Sequence, residues 1–467
     1  TCWDLAAVHR LLVGGWRADP GRVWAYAHGL ALDLVPTRAP ADLFSSLQDD
    51  VDVDEPVRAD GHLRPEWCGD DWDWSDDRLR VWARLALDLS RRQHDLVDDV
   101  GGARMLSTAR SESTAELLCA ELTVDGLPMD RAEAETIIGE LIGPRPATER
   151  DAAAQRSHRD EQVLRLAPSG TDVDLRNPAH VKSLLRRVGV ETPDTRAWRL
   201  ESLRDAHPVV EALLSWRKSE RIATTFGYSW LDEHLGDDGR LRGEWTGSDG
   251  AAGRMTASAG LHNMPALMRP AVVAAPGHAF VRADLGQIEP RVLAAVSGDP
   301  LLAAATDSAD LYAPVATALG VDRATAKVAV LGAMYGQTTG HGAQALRRLE
   351  AAYPVAMQYM LESERDARSR AAARGRYGRN AMVQGAAAEL FKVWAVTVRA
   401  RAAGLGARVV LCLHDELLVH TPLDQADAVA ALLVDCLGEA AHRWAADRSV
   451  RFVADVAVIT RWSDAKA

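Results

Sequence analysis

Cysteine is scarce in this sequence, and the few cysteines are not spaced for a metal site. Five cysteines are distributed over 467 residues, and no two form a Cys-x-x-Cys pair. This usage is typical of a reducing cytoplasm and argues against a disulfide scaffold or a zinc site. Long apolar runs are also missing, since none reaches the ~18 uninterrupted residues of a membrane helix. His9 and Arg10 interrupt the only early apolar run, so no signal peptide is expected, and the start at Thr1 indicates a lost native N-terminus.

Lysine is as scarce as cysteine: 5 lysines stand against 49 arginines, a ratio that fits a GC-rich genome. The formal net charge of −12, taken alone, counts against a nucleic-acid partner. However, residues 42–99 carry 17 acidic residues against 7 arginines, and the rest of the chain is close to balance. Charge therefore does not exclude a nucleic-acid partner. The hydrophobic content of 47% is sufficient for packed cores, and the length allows about three domains.

The first informative stretch runs from Phe280 to Ser297. It begins apolar and β-prone, reaches Asp284, and continues with apolar residues at helical spacing. Pro290 fits the first turn of such a helix, where a missing N–H costs little. An acid at the end of a buried strand can hold a cation. A capping aspartate at a strand–helix junction explains this stretch, taken alone, equally well.

A second stretch, residues 408–422, has apolar runs on both sides of His414-Asp415-Glu416. It is predicted to form a hairpin with these three residues at its tip. Either stretch alone could be an ordinary turn. Together, Asp284 and Asp415 indicate a carboxylate pair for two divalent cations, which lie about 3.5–4 Å apart in sites for in-line phosphoryl transfer. Hard cations such as Mg²⁺ prefer oxygen ligands of this kind.

A third stretch, residues 322–336, is predicted to form a helix. Arg323 and Lys327 are four residues apart and share a face, which Leu331 and Tyr335 continue. Two cations followed by an apolar and an aromatic side chain suit a triphosphate at one end and a base at the other. The alternative is a solvated helix edge with a buried tyrosine.

The three stretches resemble motifs A, B and C of family A DNA polymerases, the DNA polymerase I family. Motif A of that family runs D-Y-S-Q-I-E-L-R, and residues 284–291 here read DLGQIEPR. Motif B is R-x-x-x-K-x-x-x-F-x-x-x-Y-G, which residues 323–336 match with leucine in place of phenylalanine. Motif C is centred on H-D-E, found here at 414–416, and the resemblance covers roughly residues 110–467. The chain also resembles the short exonuclease/polymerase fusion proteins of high-GC bacteria, which lack the 5′ nuclease.

The resemblance implies an α+β fold of the right-hand polymerase type, with an antiparallel palm sheet and a mostly helical thumb and fingers. The expected parts are a partial 3′–5′ exonuclease-like region (1–100), palm entry and thumb (101–245), palm with motif A (246–299), shortened fingers (300–375) and palm with motif C (376–467). The exonuclease likeness is weak. The family's Tyr-x-x-x-Asp motif has only Trp72/Asp76 or Asp73/Asp77 as candidates, and both lack the tyrosine. We therefore predict no proofreading by this chain.

By resemblance, two Mg²⁺ ions, which Mn²⁺ can replace, are held by Asp284, Asp415 and the backbone carbonyl of Leu285, with Glu416 beside them. Lys327 is expected to act in catalysis by protonating the leaving group. The expected nucleotide-binding residues are Arg323, Lys327, Tyr335, Glu289, Gln287, Tyr312 and Leu331. The expected DNA-binding residues are Arg254, Asn263, Arg376, Asn380, Gln384, His414 and Gly336.

The implied activity is template-directed addition of deoxynucleotides to a primer 3′-OH, in repair or gap filling. Glu289 would crowd out a ribose 2′-OH, whereas Leu331, which replaces the family's phenylalanine, is expected to change sugar discrimination. Tyr312 replaces the family's phosphate-side histidine and can still donate one hydrogen bond. The expected partners are primer–template DNA and dNTPs, with no membrane, and we expect a cytoplasmic, nucleoid-associated monomer. Two alternatives remain. Glu289 argues against a single-subunit RNA polymerase, and the retained metal and triphosphate residues argue against a decayed DNA-binding protein.

Overall fold

The structure is a computed structural model that describes residues 2–37, 55–69, 75–168, 173–249, 253–335, 342–370, 375–445 and 449–465. Only the backbone is described at 342–343, 345, 363–370 and 375–381. The chain forms two compact units. The first comprises Thr1–Val124, Glu244–Ala257 and Gly277–Ile459, and the second comprises Asp125–Gly243, Ser258–Pro276 and Thr460–Ala467. The predicted five-part division of the chain stays a prediction.

Most of the described residues are helical. The α-helices are α1 (Leu5–Val13), α2 (Pro20–Ala27), α3 (Asp76–Asp125), α4 (Arg131–Ile142), α5 (Glu149–Leu164), α6 (Pro178–Arg187), α7 (Ala197–Glu201), α8 (Pro208–Thr225), α9 (Tyr228–His234), α10 (Ile288–Ser297), α11 (Pro300–Ala305), α12 (Tyr312–Leu319), α13 (Arg323–Met334), α14 (Gly342–Ala352), α15 (Pro354–Arg370), α16 (Gly375–Ala402) and α17 (Ala426–Trp444). Along the stretches that the structure describes, no helix has both the length and the apolar character needed to cross a bilayer.

The strands form small antiparallel sheets. They are β1 (Leu127–Pro128), β2 (Arg240–Leu241), β3 (Trp245–Asp249), β4 (Arg254–Ala257), β5 (His278–Leu285), β6 (Arg408–Leu413), β7 (Glu416–Pro422) and β8 (Ala454–Ile459). The largest sheet has the order β6-β7-β5-β8 and lies in the first unit. Its neighbours all run antiparallel, so the predicted α+β fold with an antiparallel sheet is confirmed.

The predicted elements around the three motifs are also confirmed. Strand β5 is followed by α10, β6 and β7 form the hairpin, and α13 begins at Arg323 with Asp322 as its N-cap. Strand β5 is paired on both edges and most of its residues are buried, which explains its nearly continuous apolar run. The sequence also predicts a final strand around residues 450–459, and strand β8 begins at Ala454.

The structure adds detail at two places in the N-terminal half. Residues 143–170 are rich in Pro, Arg and Ala, which predicts a mobile thumb segment. They contain α5, because Thr148 and Asp151 form a capping box and Ala, Glu, Gln and Arg favour helix. The predicted boundary at residues 100–101 lies within α3, and it stays a prediction. Helix α3 continues through it with a kink at Gly102, whose φ of 56° and ψ of −147° are not helical.

Gly286 lies in the turn between β5 and α10, where the resemblance predicts serine. Its N–H donates a hydrogen bond to the carbonyl of Val453, with a distance of 2.9 Å. A Cβ atom at position 286 would lie 2.9 Å from a methyl group of Val453, which is too close without a shift. The close approach of this segment therefore accounts for glycine here.

Arg291 in α10 fixes the start of this helix against the segments around it. The side chain is fully buried, and its guanidinium donates hydrogen bonds to five backbone carbonyls. These belong to Gly286, Thr306, Ser308, Ala309 and Arg451. Burial lowers the pKa of Arg291 to about 10, so the side chain stays charged at neutral pH. The turn after β5 therefore depends on one buried cation.

We expect Arg291→Met to lower the free energy of unfolding by about 4 kcal/mol, because five backbone carbonyls around a fully buried side chain lose a charged donor. Urea denaturation followed by tryptophan fluorescence measures the change. Arg347→Met, at an exposed position of α14, is the matched control and should stay within about 0.5 kcal/mol of wild type. Equal midpoints for the two variants would contradict the assigned importance of Arg291.

Candidate active site

The end of β5 and the tip of the β6–β7 hairpin are joined by one backbone hydrogen bond. The N–H of Leu285 donates to the carbonyl of Asp415 over 2.9 Å. His414, at the hairpin tip, has a positive φ of 56°, which closes the two-residue turn before β7. As a result, Asp284 and Asp415, which are 131 positions apart in the sequence, lie beside each other.

The two aspartates are partly buried. Burial, together with the negative charge of Asp415, raises the pKa of Asp284 from 3.8 to about 6, against the opposing charge of Arg282. Burial also raises the pKa of Asp415. Both shifts show that the ionised carboxylates are poorly solvated and lack sufficient positive charge. Such a pair is well suited to bind cations.

Arg282 is a member of the cluster that the sequence reasoning missed. One guanidinium nitrogen donates to Asp284 Oδ2 over 2.7 Å and to Glu416 Oε2 over 3.1 Å. The other terminal nitrogen lies 3.7 Å from Asp455 Oδ2. The signal was present in the sequence, because residues 282 and 284 point to the same face of a strand. Register places Glu416 and Asp455 opposite Asp284 on its two neighbouring strands.

A cavity of about 310 Å³ lies next to Asp415. Its walls come from β4, the start of α10, α12, α13, α16 and the hairpin tip. The lining residues are Arg254, Gln287, Ile288, Glu289, Pro290, Tyr312, Leu331, Tyr335, Ala387, Ala388, His414 and Asp415. Eight of these were predicted as site residues, whereas the two alanines, whose small size leaves room, carried no signal.

Glu289 is held at both carboxylate oxygens. The hydroxyl of Tyr335 donates to Oε2 over 3.0 Å, and Nη2 of Arg254 donates to Oε1 over 3.1 Å. Burial raises the pKa of Tyr335, as does the charge of Glu289, while the side chain of Gln384 opposes this rise. Four predicted residues therefore interact around the cavity, and the carboxylate of Glu289 is fixed in position.

A family model described as DNA polymerase family A matches residues 148–359 and 355–464. These ranges cover more than half of the chain. The chain belongs to DNA polymerase family A. The family predicted from the three motifs is therefore confirmed.

Individual relatives agree with this assignment. DNA polymerase I of Deinococcus radiodurans is 26% identical over 442 residues, which cover 84% of this chain and 45% of the relative. DNA polymerase I of Chloroflexus aurantiacus is 31% identical over 290 residues, covering 51% of this chain and 31% of the relative. This family A chain thus spans less than half the length of these curated relatives.

A solved structure has a similar fold. It is the POL domain of Pol1 from M. smegmatis, in complex with DNA primer-template and dNTP. The TM-score is 0.71 at 22% identity, and the match covers 99% of this chain and 82% of that one. The likeness confirms the predicted fold of the chain. It does not test the exonuclease-like prediction for residues 1–100. Asp76 and Asp77 lie exposed in the first turn of α3, and Trp72 and Asp73 lie outside the described residues.

The two predicted phosphate-binding cations of this family A chain do not line the cavity. Arg323 forms a two-pronged ion pair with Asp310, with distances of 2.5 and 3.2 Å, and its guanidinium lies 5.7 Å from the Tyr312 ring centre. Lys327 is exposed one turn later and makes no hydrogen bond or ion pair within the described residues. Burial raises the pKa of Tyr312 to about 12, so its hydroxyl stays a donor.

Gln287 lines the cavity, but its side-chain carbonyl oxygen accepts hydrogen bonds from neighbouring residues. That oxygen accepts from the N–H of Leu311 over 3.2 Å and from Arg291 over 3.3 Å. Asn263 belongs to the second unit, where its side chain is exposed and its backbone carbonyl accepts from Arg221 over 2.6 Å.

Three predicted DNA-binding residues cannot be placed. Gly336 and the side chains of Arg376 and Asn380 lie outside the described residues. Among the side chains that are described, no three His, Cys, Asp or Glu are grouped so as to hold a metal ion by themselves. The backbone carbonyl of Leu285 stays a predicted metal ligand.

The raised pKa of Asp284 predicts a pH-dependent stability difference. Its folded pKa of about 6 exceeds the ordinary 3.8, so the fold binds the proton more tightly and loses stability as pH rises through 6. In EDTA, we expect Asp284→Asn to raise the free energy of unfolding at pH 8 by about 1 kcal/mol, discounted for partial exposure. At pH 4 the two proteins should be alike. Urea denaturation at both pH values measures this, and a less stable Asn variant at pH 8 would contradict it.

Proposed function

We propose that this chain is a template-directed DNA polymerase that adds deoxynucleotides to a primer 3′-OH by two-metal phosphoryl transfer. The observation that carries the proposal is the carboxylate pair Asp284 and Asp415. The hydrogen bond from Leu285 to Asp415 holds their two segments together, and Asp415 lines the adjacent cavity. Family membership supports it, as do relatives named DNA polymerase I. The similar POL domain, solved with primer-template and dNTP, supports DNA and dNTPs as partners.

The residues present fit Mg²⁺, with Mn²⁺ as a substitute. Mg²⁺ usually binds through one or two carboxylates, several waters and substrate phosphates rather than a complete protein cage. Two undersolvated carboxylates, Asp284 and Asp415, meet this need, and the carbonyl of Leu285 is a further oxygen donor. When bound, the two ions would stabilise charge on the attacking and leaving oxygens. Glu416 would lie beside the ions without binding them directly, because its side chain is buried and bound to Arg282.

The triphosphate would be held at the start of α13. Arg323 would exchange its present partner, Asp310, for the phosphates, since a guanidinium fits a phosphate as well as a carboxylate. Lys327, one turn later on the same helix, would bind as a point charge and donate a proton from Nζ to the leaving pyrophosphate. Tyr312, with its proton retained, would donate one hydrogen bond to a phosphate oxygen.

The base and sugar would lie against the cavity walls. Leu331, Tyr335 and His414 would contact the nascent pair, and Gln287 would contact the nucleotide at the cavity wall. Arg254, Asn263, Arg376, Asn380, Gln384 and Gly336 would contact the primer–template. The fixed carboxylate of Glu289 would exclude a 2′-hydroxyl, so we propose that deoxynucleotides are selected. We further propose that the enzyme is a cytoplasmic monomer and that it fills gaps in DNA at the nucleoid.

Primer extension tests the carboxylate pair. We expect Asp284→Asn and Asp415→Asn each to lower the rate by about a thousandfold, because each removes a metal ligand worth several kcal/mol. Asp435→Asn, at an exposed position of α17, is the matched control and should keep wild-type activity. Fluorescence anisotropy should show that both site variants still bind primer–template. Wild-type extension by either site variant would reject the assignment.

The sugar selection has its own test. We expect Glu289→Ala to raise the ratio of ribonucleotide to deoxynucleotide incorporation by about tenfold, since a steric block is removed. Tyr335→Phe removes the hydroxyl that binds Glu289 but leaves the carboxylate in place, so it should raise this ratio much less. Single-nucleotide extension with each NTP and dNTP measures both variants. If the ratio for Glu289→Ala is unchanged, the carboxylate does not act as the steric block.

A further inference from the structure

Arg282 is a fixed cation within the carboxylate cluster. Its side chain is buried, with 7% of the residue exposed, and it lies on the same sheet face as Asp284, Glu416 and Asp455. The contacts to Asp284 and Glu416 are hydrogen bonds of 2.7 and 3.1 Å from the same nitrogen. Asp455 is mostly exposed, and its 3.7 Å approach is correspondingly weak. Arg282 therefore acts mainly on Asp284 and Glu416.

This arrangement affects any cation that approaches Asp284. Arg282 occupies Oδ2 of Asp284, so this oxygen is shared between the guanidinium and an incoming ion. Like charges also repel. A divalent cation about 6 Å from a guanidinium, in a water-like dielectric, loses about tenfold in affinity. At the same time, the hydrogen bond restricts Asp284 to one orientation, with its other oxygen left for a ligand.

We propose that Arg282 is a positioning residue that sets the divalent-cation affinity of the Asp284–Asp415 pair, holding it weak until substrate phosphates add negative charge. The inference rests on the proposed function, because it concerns the metal site of that reaction. A buried arginine between two acids also neutralises Glu416, and this second effect must be separated from the first. The separation is possible because Glu416 can be made neutral without touching Asp284.

Mn²⁺ binding to the full chain without DNA, measured by isothermal titration calorimetry, tests the proposal directly. The deciding comparison is between Glu416→Gln and the double variant Arg282→Met/Glu416→Gln. In both, Glu416 is neutral, so any difference reports the action of Arg282 on Asp284. We expect the double variant to bind Mn²⁺ about tenfold more tightly than Glu416→Gln. Removing both members of a buried pair is tolerated better than removing one, so the double variant should fold.

Two further variants separate charge from packing. Arg282→Lys keeps the charge without the forked geometry and should bind Mn²⁺ within about twofold of wild type. Arg401→Met, which breaks an ion pair with Glu439 on the helices α16 and α17, is the matched control and should leave the affinity unchanged. Circular dichroism melting confirms that each variant is folded. Equal Mn²⁺ affinities for Glu416→Gln and the double variant would overturn the proposal.

The same titration with Asp284→Asn separates a failure of the proposed metal site from a failure of the proposed role of Arg282. If this variant binds Mn²⁺ as well as wild type, the proposed metal site itself is wrong, and the Arg282 inference fails with it. If it binds much more weakly while the double variant matches Glu416→Gln, the metal site stands and only the Arg282 inference fails. Weak binding by Asp284→Asn together with tighter binding by the double variant supports both.

Discussion

The candidate site depends on the hydrogen bond from the N–H of Leu285 to the carbonyl of Asp415. It is a contact between backbone atoms, so it fixes the strand end against the hairpin tip whatever side chains surround it. Sheet pairing of β5 with β7 brings the two segments into register as far as Asp284 and Glu416, and this bond extends the register to the turn. A register change of one residue would turn Asp284 to the opposite face, so the pairing of the aspartates is a consequence of the sheet.

Bringing acids together at one sheet edge costs stability, and the surrounding residues limit that cost. Burial raises the pKa values of Asp284 and Asp415, and the negative charge of Glu416 adds to the rise at both aspartates. Arg282 offsets part of this charge, and Arg291 holds the adjoining turn by carbonyl contacts alone. Neither arginine removes the deficit of positive charge at Asp284. The fold therefore keeps a site that is unfavourable when empty and favourable for cations, as expected where function competes with stability.

Much of this arrangement could be predicted from the sequence, because local signals and global pairing agree around the motifs. The apolar run ending at Asp284 and the hairpin around Asp415 are strong periodic patterns, and the helix after Asp322 has a capping residue. The partners of charged side chains were beyond prediction. Period-two alternation places Arg282 on the face of Asp284, but only register identifies Glu416 as its second partner. Helix α5 has a capping box at its start, but few apolar residues at helical spacing, so the periodic signal for this helix is weak.

Two arginines of the candidate site, Arg282 on β5 and Arg323 on α13, are each held by an ion pair. Arg282 is bound to Asp284, and Arg323 is bound to Asp310, so each cation already has a carboxylate partner. Arg323 is exposed and its pair lies in a high dielectric, where exchanging one anion for another is inexpensive. Arg282 is buried, and exchange there would leave a charge without solvent. Under the proposed function, Arg323 is therefore free to move from Asp310 to a phosphate, whereas Arg282 must stay in place and act through Asp284.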